Sequence, residues 1–133
     1  MGLAEKRALK EVQDKLVPPL TKEIAEAAKF PVPLEIQWDT IAPACERYAE
    51  IVAETIPLVY FKPVIEAFKK ICADDMGRDA LKGALKKVVF RHGGWPSFTF
   101  EDGVLTIDHD PVTNRDDWDK RRDKIAGILE KAL

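Results

Sequence analysis

Ser97-Phe-Thr-Phe-Glu-Asp-Gly-Val-Leu-Thr-Ile-Asp108 is the stretch whose reading decides how this chain folds. Asp102-Gly103 suits the positive-φ centre of a type I′ turn, and it lies between two alternating runs. Folding there sets Glu101 opposite Val104, Phe100 opposite Leu105, Thr99 opposite Thr106 and Phe98 opposite Ile107. The large residues Phe98, Phe100, Leu105 and Ile107 then share one face, while Thr99 and Thr106 pair on the other. Turn chemistry and core pattern specify the same register.

Upstream, Lys87 to Arg91 encloses Val88, Val89 and Phe90 and reads as another strand, returning through His92-Gly-Gly-Trp-Pro96. Strands that follow one another so closely predict an antiparallel meander. Leu34, Ile36 and Trp38 alternate with Glu35, Gln37 and Asp39, which predicts an earlier strand joining the meander at an edge.

The remaining segments read as helices. Leu3, Leu9, Val12 and Leu16 fall near helical spacing until Pro18-Pro19, where a second helix carrying Leu20, Ile24, Ala27 and Ala28 is expected to begin. A third opens around Pro43, with Pro57 ending or bending it. Val64, Ile65, Phe68, Ile71 and Cys72 make a wide inward stripe, and a break at Asp74, Asp75 and Gly77 leads to a helix with Ala80, Leu81, Ala84 and Leu85 inward. Thr113 or Asn114 offers a cap, each with an aspartate three residues on, before a closing helix faced by Trp118, Ile125, Leu129 and Ala132. The fold class is α+β: a single antiparallel sheet, one early strand plus a C-terminal three-strand meander, packed by about five helices.

Length and composition agree with one domain spanning residues 1–133. The 133 residues are 46% apolar and 33% charged, a globular balance with room for one core. A formal charge of −2 gives no global reason to expect nucleic acid or an anionic membrane as partner. No run of about 18 uncharged apolar residues occurs, so no membrane partner is expected. Cys45 and Cys72 lie among apolar neighbours and read as buried free thiols, which sets a cytoplasmic location as the default.

The chemistry-bearing residues are few. Asp108 and Asp110, on alternate positions at a strand end, present two carboxylates together, with His109 facing the other side. The spacing lacks the Asp-x-Asp-x-Asp-Gly loop of a calcium site, and a polar strand end is the favoured reading over a metal centre. His92 precedes Gly93-Gly94, a pair that permits close backbone approach, yet the glycines match neither a dinucleotide nor a phosphate-loop pattern, so no cofactor is expected. Ser97, the only serine, sits in no nucleophile elbow. Lys82, Lys86, Lys87 and Arg91 form a basic run without the aromatic interleaving of a nucleic-acid module, and a solvated helix face is the favoured reading.

Two functions are compatible with this inventory. The first is binding without catalysis, to a protein partner or to a second copy, through Arg91, His92, Gly93, Gly94 and Trp95, where the tryptophan supplies area and the cation orientation. The second is a small enzyme or ligand-binding protein using His92 or His109 as acid/base with Asp108 or Asp110 as partner, in a pocket between sheet and helices. Charge is also segregated along the chain: residues 64–92 carry a net +3 and residues 93–133 a net −3. Patches of opposite sign on one small domain favour self-association.

Overall fold

Pro18 and Pro19 do not divide the N-terminal segment. In the computed structural model, which describes residues 2–133, helix runs without a break from Leu3 to Ala28. Proline has no N–H for the carbonyl four residues back, and the turns before the pair widen into a π-helical stretch, Val12–Leu16, that absorbs the misfit. The same device operates at Pro57 and Pro63, where the π stretch Pro57–Phe61 joins Val52–Ile56 to Lys62–Ile71. Four long helical segments result, not the expected five or so: α1 (residues 3–28), α2 (residues 52–71), α3 (Asp75–Ala84) and α4 (Trp118–Ala132). The segment around Pro43 is reduced to two short turns, Trp38–Ile41 and Ala42–Cys45, so Trp38 opens a helical turn and does not extend the preceding strand.

The strands are β1 (Leu34–Ile36), β2 (Lys87–Arg91), β3 (Ser97–Glu101) and β4 (Val104–Asp108). They form one sheet in the order β1-β2-β4-β3, with β1 and β4 parallel to β2, and β3 antiparallel to β4. The hairpin has the register read from its turn, Phe98 opposite Ile107 and Phe100 opposite Leu105. The single antiparallel sheet and its meander are corrected, however: the sheet is mixed, and β4 lies between β2 and β3.

The reason is visible residue by residue. Val88, Val89 and Phe90 are all buried, the continuous apolar pattern of a strand flanked on both sides, whereas β3 alternates between exposed and half-buried as an edge strand does. Five residues, 92–96, connect β2 to β3. Extended, they span up to about 17 Å, and two strand spacings need only about 9.6 Å. The connection therefore passes over the C-terminal end of β4 as a strap.

One face of the sheet carries Leu34, Ile36, Val88, Phe90, Leu105, Ile107, Phe98 and Phe100 against the helices. Tyr60 of α2 stacks on Phe90 at 5.3 Å, and Phe61 meets the same ring edge-on at 5.0 Å. These contacts fix α2 beneath the end of β2 where the strap begins. The opposite face bears Glu35, Val89, Thr106 and Thr99 in one row. Among the described residues, no helix is long and apolar enough to cross a membrane.

Candidate functional site

Because β2 and β4 are parallel, their C-terminal ends emerge side by side, and every candidate residue lies there. Arg91 and Asp108 are direct neighbours across the ladder, with Arg91 Nε 3.6 Å from Asp108 Oδ2. Asp108 Oδ1 accepts the backbone N–H of Gly93 at 2.6 Å as the strap crosses above it. A Cβ on Gly93 would stand 2.6 Å from Asp108 Oδ2, so any other residue here would displace the Asp108 carboxylate. His92 N–H donates to Thr40 Oγ1 at 3.0 Å, which ties the other side of the strap to the turn after β1. Gly94, at φ +100°, then redirects the chain in a conformation that L side chains rarely adopt.

The imidazole of His92 faces Asp110, with Nε2 3.9 Å from Oδ2. The other carboxylate oxygen of Asp110 accepts Val112 N–H at 2.8 Å. His109 lies close enough to feel the charge of both Asp110 and His92. Its ring is buried, and Nδ1 contacts the Asp110 carbonyl at 2.7 Å. A carbonyl only accepts, so Nδ1 carries the proton and Nε2 is left as the acceptor. Burial pushes the His109 pKa below its ordinary value, against the opposing influence of that carbonyl. His109 borders a cavity of about 240 Å³ with Pro96, Phe98, Lys120 and Lys124. His92 and His109 thus sit at the same sheet end, and only His109 reaches that cavity.

Residues not singled out by sequence reasoning complete the site. Tyr60 Oη donates to the His109 carbonyl at 2.6 Å. Burial is the main cause of its raised pKa, reinforced by Cys45, Asp110 and Asp108. In the sequence Tyr60 was one more member of an apolar run, and nothing marked its hydroxyl. Arg121 is only 5% exposed, and its guanidinium donates to the carbonyls of Asn114 at 2.6 Å, Arg115 at 3.3 Å and Leu58 at 3.4 Å. It thereby ties the loop before α4 to α2. The capping boxes expected at Thr113 or Asn114 do not form: Asn114 is left-handed at φ +50°, and a short 3₁₀ turn, Arg115–Asp117, leads into α4. A signal for Arg121 existed, since it falls at helical spacing between Trp118 and Ile125 on the stripe read as inward.

The thiols carry no reactive character. Cys45 is buried, donates to the Ile41 carbonyl, and is pushed up to about 11, chiefly by desolvation. Cys72 is likewise buried and raised. Among the described residues, no group of three or more His, Cys, Asp or Glu is placed to hold a metal ion.

Trp38 packs against the core, whereas Trp118 is half-exposed under Lys62, whose Nζ lies 4.3 Å from the ring centroid. Trp95 differs from both. It stands at the tip of the strap with 82% of its surface exposed. Compared with protein-family models, curated proteins and solved structures, the chain matches none.

Proposed function

We propose that the protein acts by binding a protein partner, in the first instance a second copy of itself, through the strap, with Trp95 as apolar anchor and Arg91 and His92 at its base. The observation that carries this reading is the combination of an exposed tryptophan with a backbone held at two adjacent residues. His92 N–H and Gly93 N–H are bonded to Thr40 and Asp108 respectively. An exposed indole offers a large contact area with two side-chain torsions to immobilise, and a pinned backbone reduces the entropy lost on association. Asp108 beneath it is engaged in holding the strap, through Gly93 and Arg91, and the Tyr60 hydroxyl is engaged by the His109 carbonyl just past β4.

Substituting Trp95→Ala tests the reading. Sedimentation velocity of the purified chain should show weakened association, while the thermal unfolding midpoint stays close to that of the parent, because Trp95 contributes little to the core. Unchanged association would remove the strap from the function.

A second reading has one observation in its favour. His109, with its tautomer fixed by the Asp110 carbonyl, borders the cavity, whose lining sets Lys120, Arg121 and Lys124 against Asp117, a positive excess suited to a small anionic ligand or to base catalysis on one. Titration with small carboxylates and phosphates, followed by the His109 ring resonances, tests it; resonances that do not move would reject it.

A further inference from the structure

β3 has only one neighbour. In a hairpin closed by a two-residue turn, Glu101 and Val104 form a hydrogen-bonded pair, as do Thr99 with Thr106 and Ser97 with Asp108. The N–H and C=O groups of Phe98 and Phe100 consequently point away from β4. Among the described residues, no backbone or side-chain hydrogen bond outside the ladder reaches them. No lysine or proline interrupts Ser97–Glu101 to discourage pairing, and the strand is rich in residues that favour it.

We infer that this edge pairs antiparallel with β3 of a second copy, about a two-fold axis at Thr99. The inference rests on the strap reading above and names the partner it implies. The register is constrained by the outward backbone groups. With the axis at Thr99, Phe98 faces Phe100 of the second copy and Phe100 faces its Phe98, so each pair exchanges both N–H···O bonds. Both phenylalanines are half-exposed on the helix-covered side, and the pairing brings them together across the junction.

Charge agrees with this register. Pro96, the residue just before β3, comes nearest Asp102 of the second copy, while Trp95 lies on the strap, outside the paired strand. The acidic turn Glu101–Asp102 of each molecule thereby approaches the end of the other where Lys120, Arg121 and Lys124 outnumber Asp117 around the cavity beside Pro96 and Phe98. Each contact occurs twice, as a closed two-fold interface requires.

The test is sedimentation velocity on the full chain from micromolar to submillimolar concentration, with amide hydrogen exchange at both ends of that range. The expected result is a concentration-dependent dimer in which the Phe98 and Phe100 amides become protected on association, while the Thr99 amide, already bonded to Thr106, changes little. Thr99→Lys places two like charges beside the axis and is expected to raise the dissociation constant about two- to fivefold; Thr99→Val should leave it near that of the parent. A monomer throughout, or a dimer whose Phe98 and Phe100 amides exchange at the monomer rate, overturns the pairing. A dimer that Trp95→Ala disrupts and Thr99→Lys does not overturns the pairing and spares the strap. One that Thr99→Lys disrupts and Trp95→Ala does not supports the pairing and removes the strap's role.

Discussion

Removing the carboxylate of Asp108 is the perturbation whose consequence the structure fixes most closely. The residue is 6% exposed, accepts the Gly93 N–H at 2.6 Å and lies 3.6 Å from Arg91 Nε. A hydrogen bond to a charged group contributes about 1.5–3 kcal/mol. The Arg91 guanidinium is partly in solvent, so the ion pair adds about 1 kcal/mol or less. Asp108→Ala should therefore destabilise the fold by about 2–3 kcal/mol, whereas Asp108→Asn, which keeps an acceptor oxygen for Gly93 and loses only the charge, should cost about 1 kcal/mol. For a domain of this size each kcal/mol lowers the melting midpoint by about 3–4 °C, so the alanine variant should melt roughly 6–12 °C early. Denaturant unfolding gives the energies, and hydrogen exchange at the Gly93 amide reports the strap directly. Equal stability of parent and alanine variant, with Gly93 still protected, would refute the claim that Asp108 holds the strap down.

Further expectations follow from single residues. Gly83 in α3 has no neighbour within 4 Å of where a Cβ would stand, so Gly83→Ala should stabilise by about 0.4–1 kcal/mol, measured by denaturant unfolding. The pKa of His109 lies below its ordinary 6.5 in the folded protein, so the unfolded chain takes up a proton near that pH that the native ring refuses. Stability should be complete above about pH 6.5 and fall as the pH drops through that value, and His109→Gln should flatten this part of the stability profile. Cys45, raised to about 11 by burial, should react with a thiol reagent only as fast as the protein opens, and at once in denaturant.

What could be read in advance was local. The register of Phe98 to Ile107 followed from one turn and one alternating pattern, because a two-residue loop leaves no choice of partner. The place of β2 does not follow, because strands adjacent in the chain need not be adjacent in the sheet. Its unbroken Val88-Val89-Phe90 run, set against the alternation of β3, was the available signal that β2 belongs inside and β3 outside. The prolines misled for a related reason. Pro18, Pro57 and Pro63 remove helical hydrogen bonds, but tertiary packing of the flanking apolar faces keeps the helices continuous through π turns.

The candidate site divides along the same line. His92, Asp108, His109 and Asp110 were identifiable as residue types, but the pairing of Arg91 with Asp108 depends on a parallel β2–β4 ladder that no local pattern encodes. Thr40 and Tyr60 reach the site from elements far away in sequence, and their ordinary local contexts gave no hint of it.

The most direct test of the account is to make Trp95 the sole tryptophan, through Trp38→Phe and Trp118→Phe, and to follow its fluorescence from micromolar to submillimolar protein. Emission typical of an exposed indole at low concentration should shift to the blue and lose access to soluble quenchers as the dimer forms. Association without any change at Trp95, or an exposed signal at every concentration, would contradict it.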